Sequence, residues 1–128
     1  MKSVASPPGK RERGVKGMHL AIRRYQVDPA SMDEIIRHVN EGFIPIIKDV
    51  QGFLAYYALD TGDFVKGVLA SVSVFEDREG AEESINMAAD YIRQNMASLM
   101  PNPPEITAGE VRAHELNLTK LGIREVKE

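Results

Sequence analysis

The segment FLAYYALDTGDFVKGVLASVSVFEDREGAEES, Phe53 to Ser84, decides the fold. FLAYYALD is aromatic and apolar and reads as a strand. TGDFVKG supplies turn chemistry through Gly62 and Asp63. VLASVSVFE then alternates as another strand, so the two form a hairpin. Next the character changes: Glu76, Asp77, Glu79, Glu82 and Glu83 crowd together. Such a cluster reads either as a metal or acid/base site or as the junction where a strand becomes a helix. Asp77 stands where an N-cap is needed, and its carboxylate can accept a bond from an orphan amide, worth about 1 kcal/mol. Glu79, Glu82 and Glu83 fall in the first turns, where the helix dipole favours negative charge by roughly 0.3–1 kcal/mol each. No histidine lies in the segment, and each of these acids has a structural reason to be there. The junction is the preferred reading.

Outward from this hairpin, the upstream chain supplies one strand and one helix. MHLAIRRY alternates Met18, Leu20 and Ile22 with His19, Ala21 and Arg23 and reads as the first strand. Ser31 is a good N-cap with Glu34 at capping-box spacing, and Ile35, Ile36, Val39, Phe43, Ile46 and Ile47 continue at helical intervals. Pro45 removes a backbone donor. The first helix is therefore expected over 31–43, ending near Gly42, with a looser turn to Val50. Downstream, Ala81, Ile85, Ala88, Ala89, Ile92, Met96 and Leu99 share one face of a second helix that PNPP (101–104) ends. EITAGEVRAHE is the last strand.

The order β-α-β-β-α-β predicts an α+β, ferredoxin-like domain: a four-stranded antiparallel sheet with two helices on one face. The other sheet face must be polar or covered. It does not read as polar. The second strand offers Phe53, Ala55, Tyr57 and Leu59 on one side and Leu54, Tyr56 and Ala58 on the other. The third sets Val68, Ala70, Val72 and Val74 against Leu69, Ser71, Ser73 and Phe75. Strands apolar on both faces call for a homodimer with its sheets facing each other.

Length and composition bound the rest. The 128 residues fit one domain, 43% hydrophobic and 27% charged, without cysteine or tryptophan. That excludes disulfides and thiolate metal sites, and no apolar run approaches a membrane span. The leader, residues 1–17, has five basic residues and one acid, so the rest of the chain carries −7 of the overall −3. A basic arm could touch nucleic acid, but Pro7, Pro8 and few apolar residues favour a disordered, solvated leader. No nucleic-acid or membrane partner is expected. Without a signal-like apolar region, the expected location is cytoplasmic. The domain is expected over 18–116, with a C-terminal tail over 117–128.

EGFIPIIKDVQGFLAYYALDTG followed by LASVSVFEDREGAEESINMAADYIRQNM resembles the antibiotic biosynthesis monooxygenase-like families of the dimeric α/β barrel superfamily. The likeness spans Met18 to Glu115. It implies a homodimer with a β-barrel between subunits and, in each subunit, a pocket between sheet and helices. Some relatives oxygenate polycyclic phenols without a cofactor, some degrade haem, and others have no known reaction. The absence of tryptophan departs from the haem-degrading pattern.

For a small aromatic or quinone-like substrate, the resemblance directs attention to His38 and Asn40 as catalytic candidates. Asn40 could polarise a carbonyl and His38 could act as a base near neutral pH. The competing reading makes both solvated flanking residues. Phe43, one of the adjacent Tyr56 and Tyr57, and Arg23 are candidates for substrate binding. The tyrosines must point to opposite faces. Arg23 or Arg24 could instead form an edge salt bridge with Glu110 or Glu115. His19 and His114 could approach each other across the first and last strands, but two histidines do not make a metal site. No metal or cofactor is expected. A cofactor-independent oxygenase and a non-catalytic dimer that binds a ligand or scaffolds a partner both remain open.

Overall fold

The computed structural model of the chain describes residues 17–122. The leader up to Lys16 and the tail beyond Gly122 lie outside the described residues. Strand β1 is His19–Gln26. A 3₁₀ turn, Pro29–Ser31, leads into a helical arm made of α1 (Met32–His38), a π-turn (Val39–Phe43) and α2 (Ile44–Ile47). Strands β2 (Phe53–Asp60) and β3 (Val68–Phe75) form the hairpin, followed by α3 (Arg78–Asn95) and β4 (Glu105–Glu110). The strand order is β2-β3-β1-β4, antiparallel throughout. The helical arm and α3 pack on one face, giving the ferredoxin-like arrangement.

The acidic junction is structural. Asp77 is extended and its Oδ1 accepts from Gly80 N–H at 3.0 Å. Arg78 Nε meets Glu82 Oε2 at 2.8 Å, one turn on. The other helix start differs from expectation: Ser31 makes no side-chain cap. Asp28 does the capping instead, its Oδ1 accepting from Ala30 N–H at 3.0 Å. Pro29 opens the turn here, where its missing N–H costs least.

The helical arm does not end near Gly42. Ile44 N–H reaches back to Val39 O, the long bond of a π-turn. Pro45 then sits in the first turn of α2, where no intrahelical donor is required. The apolar spacing explains the wide turn. Ile35, Val39, Phe43 and Ile47 recur every four residues, and in a regular α-helix each step would drift by about 40°. A turn holding more residues takes up that drift, and these four residues are 7% exposed or less.

The sheet's two faces also depart from simple alternation. A bulge between Phe53 and Ala55 shifts the β2 register. Phe53 consequently packs on Phe75, ring centroids 5.8 Å apart, on the same side as Tyr56 and Ala58 rather than with Tyr57. Beneath the helices lie Ala21, Arg23 and Tyr25 of β1 with Leu69, Ser71, Ser73 and Phe75 of β3, all 5% exposed or less. The more apolar side faces away: Leu20, Ile22, Val72 and Val74 are partly buried, Leu59 is exposed, and Tyr57 is 60% exposed.

Strand β4 stops at Glu110, short of the expected Glu115, and α3 stops at Asn95 before a separate turn that buries Met96 and Met100. His114 is exposed and beyond the strand, while His19 pairs in register with Glu110. Among the described residues no three His, Cys, Asp or Glu side chains come together as a metal set, and no helix is long and apolar enough to cross a membrane.

Candidate functional site

The site grows out of strand register. On the helix-facing side, one row runs Ala58, Ser71, Arg23, Ile106 across the four strands, and the next runs Tyr56, Ser73, Ala21, Ala108. These rows place a cation, two hydroxyls and a phenol at the centre of a sheet face that otherwise carries the core. Arg23 is 1% exposed. Its Nη1 donates to Ser73 Oγ at 3.3 Å, while Nε has no partner. Ser71 Oγ, also buried, has no well-formed hydrogen bond. Among the described residues no carboxylate pairs with Arg23, so the edge salt bridge with Glu110 or Glu115 is not formed.

The helices close over this polar floor with aromatic and sulfur-bearing side chains. Phe43, delivered by the π-turn, meets Tyr56 edge-on at 5.5 Å and Tyr91 of α3 at 5.7 Å. Tyr91 is admitted because residue 42 is glycine: a Cβ there would collide with the Tyr91 hydroxyl. Between floor and roof lies a cavity of about 30 Å³, whose wall includes Arg23, Tyr25, Phe43, Tyr56, Ser71 and Tyr91. That is space for about two waters. Burial pushes the Tyr25 phenol above its ordinary pKa, with the Arg23 charge pulling the other way by less. Tyr56 is raised for the same leading reason, its neighbours Arg23 and Ser71 again opposing by less. Both phenols therefore stay protonated and act as donors at neutral pH.

Arg23 and Tyr25 also line a second, open space of about 360 Å³. This cleft runs between α3, the Pro101–Pro104 segment and Ile106 of β4. Its size suits a small organic ligand, and its wall is apolar apart from a few polar groups.

Of the expected site residues, the fold brings Arg23, Phe43 and Tyr56 together. Tyr57 stands on the opposite sheet face. His38 is partly buried at the end of α1, and Asn40 is exposed in a shallow groove beside Asp33, Arg37 and Asp60. Neither His38 nor Asn40 lines the cavity or the cleft. Tyr25, Ser71, Ser73 and Tyr91 escaped the sequence reading. Two serines between Leu69 and Phe75 on one face of a strand were the available signal.

No protein-family model matches the chain, and no curated protein matches it by sequence. Solved structures do match. A Nitrosomonas europaea protein of unknown function is 23% identical, with a TM-score of 0.65 over 81% of this chain and 98% of that one. A Streptomyces coelicolor monooxygenase, ActVA-Orf6, solved with nanaomycin D, is 19% identical, with a TM-score of 0.62 over 77% and 91%. The chain shares the fold of the antibiotic biosynthesis monooxygenases. A Bordetella bronchiseptica protein provisionally assigned to them is 15% identical, with a TM-score of 0.62 over 77% of this chain and all of that one. At these identities the antibiotic biosynthesis monooxygenase likeness is one of fold.

Proposed function

We propose that the protein is a homodimer that binds a small aromatic or quinone-like compound between sheet and helices and oxygenates it without a cofactor. One observation carries the reading: Arg23 is buried without a counter-charge beside two protonated phenols. A site of this kind stabilises an oxyanion. The field of Arg23 lowers the pKa of a bound phenol or enol, and Tyr25 and Tyr56 are placed to donate to the developing oxygen charge. The ionised ligand is the electron-rich form that reacts with oxygen. For an anthrone-like substrate, the ring methylene loses both hydrogens, one oxygen atom becomes the new carbonyl, and the other leaves in water. The proton released on ionisation passes to solvent at the open cleft, whose wall shares Arg23 and Tyr25 with the cavity.

The likeness to a monooxygenase solved with nanaomycin D supports a small-molecule ligand. The apolar side that carries Val72, Val74 and Tyr57 supports association through the other side. A cytoplasmic location belongs to the same reading. A second reading is favoured by one feature: the described cavity wall holds neither histidine nor carboxylate to take a proton. It makes the protein a non-catalytic ligand-binding or scaffolding dimer. Oxygen consumption with anthrone- and quinol-like compounds separates the two. Uptake abolished by Arg23→Gln and reduced by Tyr56→Phe supports the oxygenase. Binding without uptake across the panel supports the second reading.

A further inference from the structure

Arg23 holds a charge that the described protein leaves unanswered. Removing a guanidinium from water is costly, and buried ions are paired or hydrogen-bonded as a rule. Nη1 donates to Ser73, and the Tyr25 and Tyr56 hydroxyls lie within reach of the guanidinium, but none of these partners carries a charge. A guanidinium grips a planar oxyanion in two parallel bonds. Nε itself has no partner. The same side chain forms part of the wall of the open cleft, beside Ile106, its register partner on β4. Ile85 and Ile92 of α3 and Pro101 to Pro104 line the same cleft. Asn102 Nδ2 donates to Gln26 O at 3.4 Å and ties this rim to β1. Arg93 also lines the cleft, but its side chain is exposed and meets Asp90 at 2.9 Å, so solvent screens its charge far more than that of the buried Arg23.

We propose that the cleft takes an aromatic carboxylate, its acid group held side-on by Arg23 and its ring lying between Ile92 and Ile106. This rests on the aromatic-ligand reading above and narrows it from a neutral phenol to a ligand that arrives as an anion. A single guanidinium balances the one charge of a carboxylate, whereas a phosphate dianion would leave charge uncompensated in apolar surroundings.

Calorimetric titration of the full-length protein with hydroxynaphthoate and with its carboxamide tests this, because the two differ in charge but hardly in shape. Wild type should bind the acid about tenfold or more tighter than the amide. Arg23→Gln should bring the two within about twofold, and Arg23→Lys should keep only part of the preference, having the charge without the fork. Thermal melts establish that each variant is folded. If Arg23→Gln fails to fold, Ile106→Trp provides the check: it fills the cleft from an exposed strand and should abolish binding of both compounds. Equal affinity for acid and amide in wild type, a preference that survives Arg23→Gln, or acid binding unaffected by Ile106→Trp would each overturn the inference. Oxygen uptake is read separately. Acid-selective binding without uptake retains the inference and removes the oxygenase reading, while turnover of neutral quinols without acid preference does the reverse.

Discussion

Arg23 and Ser71 face each other across β1 and β3, and each keeps a buried polar atom unpartnered, Nε on one and Oγ on the other. Two such groups on adjacent strands, sharing one cavity wall, form a polar floor in an otherwise apolar core. Satisfied cores leave few such atoms. Arg23 also lines the open cleft, and this is the reason for placing the ligand there rather than at the exposed Asn40.

The ligand-free protein should be more stable without the arginine. Arg23→Met replaces an uncompensated buried cation with an apolar side chain. The variant should gain on the order of 1 kcal/mol, read from urea denaturation midpoints, while losing ligand affinity. A loss of stability with binding intact would show that Arg23 is a packing residue.

The acidic junction should behave as a cap and nothing more. Asp77→Ala should cost about 0.5–2 kcal/mol. Glu82→Gln removes only an exposed pair with Arg78 and should cost roughly 0.5 kcal/mol or less. Titrations with the same ligands should give unchanged affinities for both variants.

Gly42→Ala should disturb the site through Tyr91. The added methyl would displace the Tyr91 hydroxyl and, with it, the ring that packs on Phe43. Overpacking of this kind costs typically about 1–3 kcal/mol. Loss of ligand affinity beyond that of an exposed control away from the cleft, such as Ala113→Ser, is the expected signature in calorimetry.

Alkaline titration should single out the two floor phenols. Tyr25 and Tyr56 are raised above the ordinary 10.0, chiefly by burial. The neutral form is therefore favoured in the folded state. Its contribution is complete below pH 10 and is lost as pH rises through the raised values. Absorbance titration should lose its most alkaline phenolate component in Tyr25→Phe and Tyr56→Phe. Both variants should also show a shallower fall in stability above that pH.

Most of the architecture was legible in the sequence because it follows from period and punctuation. β2 has the expected bounds, β3 ends at Phe75, one residue short of the expected Glu76, and Asp77 caps as its position demands. The helical arm was less legible. Pro45 argued for a stop, and only the four-residue spacing from Ile35 to Ile47 hints that a wider turn carries the helix past it. Side assignment failed at Phe53 because a single bulge reverses parity. The site was half legible: Arg23, Phe43 and Tyr56 carry chemistry visible in any sequence. Ser71 and Ser73 become significant only once the register sets them beside Arg23, and Tyr91 only once Gly42 makes room for it.

Ligand placement is read most directly by methyl-resolved nuclear magnetic resonance during titration with hydroxynaphthoate. The account predicts that the Ile92, Ile106 and Met100 methyls shift saturably while those of Val72 and Val74 remain unmoved. Shifts centred on Val72 and Val74, or at Ile36 beside Asn40 with the cleft methyls silent, would contradict it.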